Sequence, residues 1–144
     1  MPSPVRLISV GRIKEPYLAA GIGEYLKRLR PFCKLEVVEL KDEGMEKEAK
    51  RIEKYANENT FALDAGGKSF DSLEFAELIK SHELSPQPLT FVIGGPQGLD
   101  PALKKKAKLI SLSKMTFTHE MCRLFFLEQL YRAFMINSNR SYHK

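Results

Sequence analysis

The stretch FVIGGPQGLD, residues 91–100, indicates most clearly how this chain folds. An apolar, β-rich run ends at Gly94 and Gly95, Gly98 follows, and the closing aspartate stands directly before Pro101. Aspartate is a favoured helix N-cap and proline a favoured first helical residue, so the stretch predicts a strand, a tight loop and a helix. Glycine permits unusual backbone angles and close approach to a ligand. The loop is therefore either a tight turn into the helix or a ligand site made of backbone groups.

Apolar runs typical of strands alternate along the chain with segments of helical spacing. The strand-like runs are residues 5–10, 34–40, 60–64, 89–95 and 109–113, and the helical segments are residues 15–29, 45–58, 72–84, 101–108 and 119–136. The alternation predicts one α/β domain over residues 1–144, with a mostly parallel sheet of about five strands flanked by helices. Ligands in such sheets bind where loops leave the carboxyl ends of the strands, which is where the glycine loop is expected.

Two further local signals lie near the third strand. Gly66 and Gly67 follow it and predict a second open turn at the ligand edge, with a plain turn before the next helix as the alternative. Asp71, with Glu74 three residues later, predicts a capping box at the start of that helix.

Composition narrows the class of protein. The chain has 144 residues, of which 43% are hydrophobic and 28% charged, an ordinary balance for a folded domain. Its net charge of +5 mildly favours a polyanionic partner. No apolar run approaches the ~20 residues of a membrane helix, and the start lacks the order of a signal peptide. We therefore expect a cytoplasmic protein that does not enter the membrane.

Few residues suit covalent or metal chemistry. Cys33 and Cys122 are isolated and are expected to be reduced packing residues. His119 and Glu120 begin like the zinc motif HExxH, but Arg123 stands where the second histidine must be. The sequence therefore predicts no metal site.

The end of the chain carries two features of its own. The apolar residues of the last helical segment exceed one stripe, which predicts a subunit interface, with ordinary core burial as the alternative. Arg140, Tyr142, His143 and Lys144 then combine cations, an aromatic ring and an imidazole, a set suited to RNA. A frayed tail is the alternative interpretation of these four residues.

Taken together, the stretches FVIGGPQGL, ISLSKMTF and EQLYRAF and the terminal YHK resemble the RlmH family, small SPOUT-class methyltransferases of bacterial ribosomes. The resemblance runs nearly end to end. It implies the SPOUT α/β-knot fold with a C-terminal trefoil knot. It also implies a homodimer that transfers a methyl group from S-adenosyl-L-methionine to N3 of a pseudouridine in the 23S rRNA of the assembled 70S ribosome.

The resemblance also assigns site residues. The implied cofactor contacts are Leu63, Gly94, Gly95, Leu112, Ser113, Lys114, Met115, Thr116 and Phe117. His143 is expected to assist or orient the proton transfer and Tyr142 to stack on or bond to the base, while Arg132 or Arg140 holds phosphate. Arg132 is counted with the catalytic set, and Arg140 and Lys144 with the RNA contacts.

This chain departs from the family pattern at two places. Thr118 replaces an expected proline before the last helix, although threonine can still cap it, and the tail reads NRSYHK without the usual proline. Two alternatives remain: a non-catalytic α/β protein that binds RNA or the ribosome, and a SPOUT methyltransferase for another RNA nucleotide.

Overall fold

A computed structural model describes residues 3–144 of the chain. Within these residues five strands alternate with five helices, in the order β1 (Ser3–Val10), α1 (Pro16–Leu29), β2 (Cys33–Leu40), α2 (Met45–Glu53), β3 (Thr60–Ser69), α3 (Ser72–Ser81), β4 (Leu89–Ile93), α4 (Pro101–Lys106), β5 (Lys108–Ser111) and α5 (His119–Asn137). The predicted alternation is confirmed.

The strands form one sheet in the order β2-β1-β4-β3-β5, and each of these pairings is parallel. Phe91 in the central strand is aligned with Leu7 on one side and Phe61 on the other. All carboxyl ends therefore point to the same edge of the sheet, as predicted for an α/β domain. The trefoil knot stays a prediction, because strand order and register do not determine how a chain threads through its own loops.

Helices cover both faces of the sheet because successive strand residues point to opposite faces. Leu7 and Phe91 point to the face covered by α1, α3 and α5, where Phe126 lies 4.7 Å from Phe91 between ring centroids. Ile8 and Val92, the next residues along the same strands, pack in the second cluster with α2 and α4. The sheet is thus the middle of three layers, and its strands are apolar on both sides.

The predicted helix caps are present. The Asp71 carboxylate accepts a 2.7 Å hydrogen bond from the backbone N–H of Glu74. The Glu74 side chain accepts in turn from the backbone N–H of Asp71, so the capping box is complete. Asp100 caps α4 by accepting from the N–H of Ala102 at 2.8 Å. Thr118 caps α5, so the loss of the family proline leaves the helix start intact.

The structure corrects the prediction for Gly66 and Gly67. Both lie inside β3, which runs to Ser69 with a register shift between Leu63 and Lys68, and they do not form an open turn. A Cβ at Gly67 would lie 2.7 Å from the backbone nitrogen of Ile110 in β5. Glycine is required there because two strands approach closely, and Lys68 and Ser69 beyond it continue the pairing with β5.

Candidate functional site

A cavity of about 540 Å³ opens at the carboxyl edge of the sheet. Its walls come from the middle of β3, from the loops after β4 and β5 and from the first turn of α5. The lining residues are Leu63, Asp64, Ala65, Ile93, Gly94, Gly95, Pro96, Gly98, Leu99, Leu112, Ser113, Met115, Thr116, Phe117, Thr118, His119 and Cys122. Small-molecule sites commonly occupy about 300–1,000 Å³ at this edge of a parallel sheet. We call this space the edge cavity.

All but one of the cofactor residues expected from the resemblance line the edge cavity. The exception is Lys114, which is exposed and absent from the lining. The loop that carries it is ordered by its own polar groups: the Ser111 hydroxyl donates to the Ser113 carbonyl at 2.8 Å, and the Met115 N–H donates to the Ser113 hydroxyl at 3.0 Å. This arrangement turns the side chain of Lys114 outward while its neighbours face the cavity.

The glycine loop reaches the edge cavity with its backbone, but its missing side chains point elsewhere. A Cβ at Gly94 would lie 2.8 Å from the carbonyl carbon of Gly98, and one at Gly95 would lie 2.9 Å from Cγ1 of Val10. The N–H of Gly98 donates to the carbonyl of Gly95 at 2.9 Å. Of these three glycines only Gly98 has a positive φ, +82°. Glycine therefore lets the loop fold onto itself and onto β1, so the tight turn that the sequence offered as one interpretation is present, while the backbone of the same loop lines the edge cavity.

Asp64 is a charged wall residue that the sequence did not single out. Its carboxylate lies 2.9 Å from the Lys104 ammonium and accepts a 3.0 Å hydrogen bond from the N–H of Gly66. The contact with Lys104 and the N–H of Gly66 lower the pKa of Asp64, so the group is ionised at neutral pH. Its position directly after Leu63 at the predicted strand end was the only signal for it.

His119 and Cys122 also line the edge cavity, although the sequence drew attention to His119 only as part of an incomplete zinc motif. They stand three residues apart at the start of α5, so they share one helix face. Burial raises the pKa of the Cys122 thiol, and burial raises that of Cys33 to about 12. Both cysteines are free, as predicted.

Arg123 fixes the start of α5 to the sheet from behind the edge cavity. Its side chain is 5% exposed, and its guanidinium donates to the Glu39 carboxylate at 2.7 Å and to the Gly11 carbonyl at 2.8 Å. Glu120 accepts hydrogen bonds of 2.8 and 3.2 Å from the backbone N–H groups of residues 14–15. The first turn of α5, which carries several wall residues, is thus held at two neighbouring points.

A second group of predicted residues meets on the outer half of α5. The Glu128 carboxylate accepts from the Tyr142 hydroxyl at 2.7 Å and from Arg132 at 2.9 Å. The Arg132 guanidinium lies 4.9 Å from the centroid of the Tyr142 ring and 3.1 Å from Nδ1 of His143. The structure thus brings together the predicted catalytic residues Arg132, Tyr142 and His143. We call these three residues with Glu128 the tail cluster.

Tyr142 makes further contacts beyond the tail cluster. Its hydroxyl also lies 3.0 Å from that of Tyr25, and its ring meets Tyr131 edge-on at 4.9 Å. Burial, followed by the hydrogen bonds with Tyr25 and Glu128, raises the pKa of Tyr142. The phenol is therefore protonated at neutral pH. Its ring is covered by Arg132, so the predicted stacking on a base requires that guanidinium to move.

The predicted RNA residues Arg140 and Lys144 are exposed, and only Arg140 has an aromatic contact, with its guanidinium 5.1 Å from the Phe32 ring centroid.

The edge cavity and the tail cluster are separated along α5. Cys122 lines the former and Arg132 belongs to the latter, and ten residues of helix span about 15 Å at 1.5 Å per residue. A smaller cavity of about 410 Å³ lies between them, against the start of α3. It shares Leu112 and Phe117 with the edge cavity and reaches Glu128.

The last helix is only partly covered by its own chain. Its buried residues, which pack in the first core cluster or bond to the sheet, are Arg123, Phe126, Leu127, Leu130, Ala133, Phe134 and Met135. On another side Phe125 is 39% exposed and packs edge-on against Phe117 at 5.0 Å, while Met115 in the preceding loop is 76% exposed. Core burial thus accounts for part of the apolar surface, and the predicted subunit interface stays a prediction.

Residues 3–144 also bear on metal binding and on membrane insertion. In this part of the chain no cluster of three His, Cys, Asp or Glu side chains is arranged to hold a metal ion. Among the same residues, no helix has the length and apolar character to cross a membrane.

The chain is similar to known proteins over nearly its whole length. The family described as "Predicted SPOUT methyltransferase" matches residues 4–143. Three similar proteins carry the name "Ribosomal RNA large subunit methyltransferase H". Those from Symbiobacterium thermophilum, Streptococcus sanguinis and Streptococcus pyogenes are 42%, 43% and 45% identical to this chain. Each alignment covers 97% of this chain and 99% of the relative.

Proposed function

Because the chain belongs to the SPOUT methyltransferase family, we propose that it transfers a methyl group from S-adenosyl-L-methionine to N3 of a pseudouridine in large-subunit ribosomal RNA. Relatives that align over 97% of the chain are named as methyltransferases of that RNA, which supports the substrate class. The observation that carries the proposal is the edge cavity, in which the expected cofactor residues other than Lys114 meet. The proposed setting is the assembled 70S ribosome in the cytoplasm.

The edge cavity has the chemistry to hold this cofactor. When bound, S-adenosyl-L-methionine supplies an electrophilic methyl group on a positively charged sulfonium. Leu63, Leu112 and Phe117 offer apolar surface for the adenine ring, and the backbone of the glycine loop offers hydrogen-bonding groups. Asp64 adds an ionised carboxylate, opposite in sign to the sulfonium. These residues bind and orient the cofactor, and the walls of the edge cavity exclude water from the reacting atoms.

The acceptor must be held by other residues, and the tail cluster is the candidate. Arg132, which contacts Tyr142 and His143, lies ten helical residues beyond Cys122 of the edge cavity, about 15 Å along the axis of α5, and this separation favours a second chain as the source of the acceptor contacts. We therefore propose a homodimer in which the tail cluster of one chain completes the edge cavity of its partner. The uncovered apolar side chains near the cavity, Met115 and Phe125, support an interface at this part of the molecule.

The proposal is tested by transfer of labelled methyl from the cofactor to intact ribosomes that lack the modification, with deproteinised ribosomal RNA as a parallel substrate. Mass spectrometry of the digested nucleosides then identifies the product. We expect methyl-pseudouridine from ribosomes. A different methylated nucleoside would favour a related enzyme for another nucleotide. Binding to ribosomes with no transfer to either substrate would favour a non-catalytic RNA-binding protein.

A further inference from the structure

The contact between Arg132 and His143 determines which ring nitrogen of His143 carries a proton. Nη1 of Arg132 lies 3.1 Å from Nδ1 of His143. A guanidinium has only N–H donors and no acceptor, so this hydrogen bond forms only when Nδ1 offers its lone pair. A neutral ring that accepts at Nδ1 carries its single proton on Nε2. A protonated ring would place two N–H groups against each other.

Arg132 is held firmly enough to impose this arrangement. Nη2 and Nε of its guanidinium donate to Glu128 at 2.9 and 3.4 Å, and the side chains of the pair are 22% and 20% exposed. The guanidinium plane also lies over the ring of Tyr142, whose hydroxyl donates to Glu128. With two nitrogens bound to one carboxylate and one side against a ring, Nη1 is left pointing at His143.

We propose that Arg132 holds His143 in the tautomer with the proton on Nε2, so that His143 acts on the acceptor as a hydrogen-bond donor and not as a base. This inference rests on the proposed function. Arg132 is then a positioning residue that acts through His143. The single N–H that His143 presents is the group that meets the substrate.

A donor suits the chemistry at N3 of a pseudouridine. The N3–H bond breaks and its proton passes to water, which leaves negative charge on N3 and on the two carbonyl oxygens that flank it. The Nε2–H of His143 donates to one of these oxygens and stabilises the charge. The bond between N3 and the methyl carbon then forms as the bond between that carbon and sulfur breaks. The electron pair of the broken bond stays on sulfur. No side chain has to take the proton.

The tautomer is measured directly by two-bond nitrogen–proton correlation spectra of the histidine rings in the full chain. The chain has three histidines, and His143→Gln identifies the signals of His143. His82 is an internal reference of opposite sense: its Nδ1 lies 3.0 Å from both the Leu78 carbonyl oxygen and the Ser81 hydroxyl, and because that hydroxyl donates to the same carbonyl at 2.8 Å, Nδ1 is the donor. We expect His143 to show a protonated Nε2 and a bare Nδ1, and Arg132→Met to return it to a tautomer mixture. A proton on Nδ1 of His143 in the unaltered chain would overturn the proposal.

The donor role is measured in single-turnover methylation of ribosomes. Glutamine at position 143 has an oxygen to accept from Arg132 and an N–H to donate, but it cannot take up a proton. We expect His143→Gln to stay within about tenfold of the unaltered enzyme, whereas His143→Ala loses on the order of a hundredfold, as for other donors to a developing anion. Equal loss in both variants would show that His143 acts as a base. If the unaltered chain methylates no RNA, the proposed function fails, while the ring spectra still decide the tautomer.

Discussion

The edge cavity and the tail cluster are held in place in different ways. The edge cavity is formed by β3 and by the loops that continue its two neighbours in the sheet, β4 and β5, and Gly94 and Gly98 are packed backbone against backbone. The tail cluster is joined mainly by side chains, with Glu128 accepting from both Arg132 and Tyr142, and backbone hydrogen bonds from Arg140 to Met135 and from Tyr142 to Arg140 support the turn that carries it. The proposed cofactor site, built on neighbouring strands, and the proposed acceptor site, held by a few hydrogen bonds, are suited to different tasks, since the second would receive part of a much larger substrate.

The largest expected effect tests whether the two regions work across subunits. Gly94→Val introduces a side chain where a Cβ would already lie 2.8 Å from the Gly98 backbone, so we expect it to abolish cofactor binding. His143→Ala removes the Nε2–H that is proposed to donate to the substrate from the tail cluster. Each variant alone should be nearly inactive, but a mixture that exchanges subunits should recover about one quarter of the sites, because half of the dimers are mixed and each has one intact pair.

The readout is methyl transfer to ribosomes, with cofactor binding followed by calorimetry. Gly23→Ala is the matched control, since nothing lies within 4 Å of a Cβ at that position in α1, and it should change neither quantity. Recovery of no activity from a folded, mixed population would show that each edge cavity uses the tail of its own chain.

A smaller effect is expected when the tail cluster is loosened without touching the edge cavity. Glu128→Gln weakens the charge-assisted hydrogen bonds to Arg132 and Tyr142. We expect the methylation rate to fall about tenfold, which is about 1.4 kcal/mol, while the dissociation constant of the cofactor stays the same. Glu77→Gln, an exposed carboxylate on α3, is the control for charge. A parallel loss of cofactor affinity would mean that the two regions are not independent.

The smallest effect concerns alkaline pH. The pKa of Tyr142 is raised above its ordinary value of 10.0, so the folded chain keeps the phenol protonated while the unfolded chain ionises it. The stabilisation is therefore complete below about pH 10 and is lost as the pH rises from there towards the folded value. We expect the thermal midpoint to fall less steeply above this pH in Tyr142→Phe. Tyr17→Phe, at a tyrosine that is 62% exposed, should follow the unaltered chain.

Sequence reasoning predicted the architecture because strands and helices here carry strong local signals. The Asp71 and Asp100 caps needed only local residue types, and four strands were placed within two residues of their ends, whereas β3 runs five residues beyond its predicted end. It misread Gly67, because the same residue type serves open turns and close strand contacts, and only the pairing partner Ile110 distinguishes them. Local sequence patterns do not show which strands, far apart in the sequence, become neighbours in the sheet.

For the site, the family resemblance predicted the wall residues and the tail residues but not their separation. The spacing of Phe117 and His143 in the sequence does not show that the start of α5 lines the edge cavity. Nor does it show that the tail after α5 folds back onto the second half of the same helix. Asp64 was missed because its partner, Lys104, belongs to another element of the fold. The role of Arg123 was also hidden, because its contacts with Glu39 and Gly11 join residues 84 and 112 positions apart.

Contacts between residues far apart in the sequence also determine when, during its synthesis, the chain becomes able to bind a ligand. The central strand β4 pairs with β1, more than eighty positions earlier. Arg123 can bond to Glu39 in β2 and to Gly11 after β1 only when almost the whole chain has left the ribosome that makes it. Contacts of such sequence separation form late and slowly. A growing chain therefore has no complete edge cavity, and synthesis has to be nearly finished before the proposed methyl donor can bind.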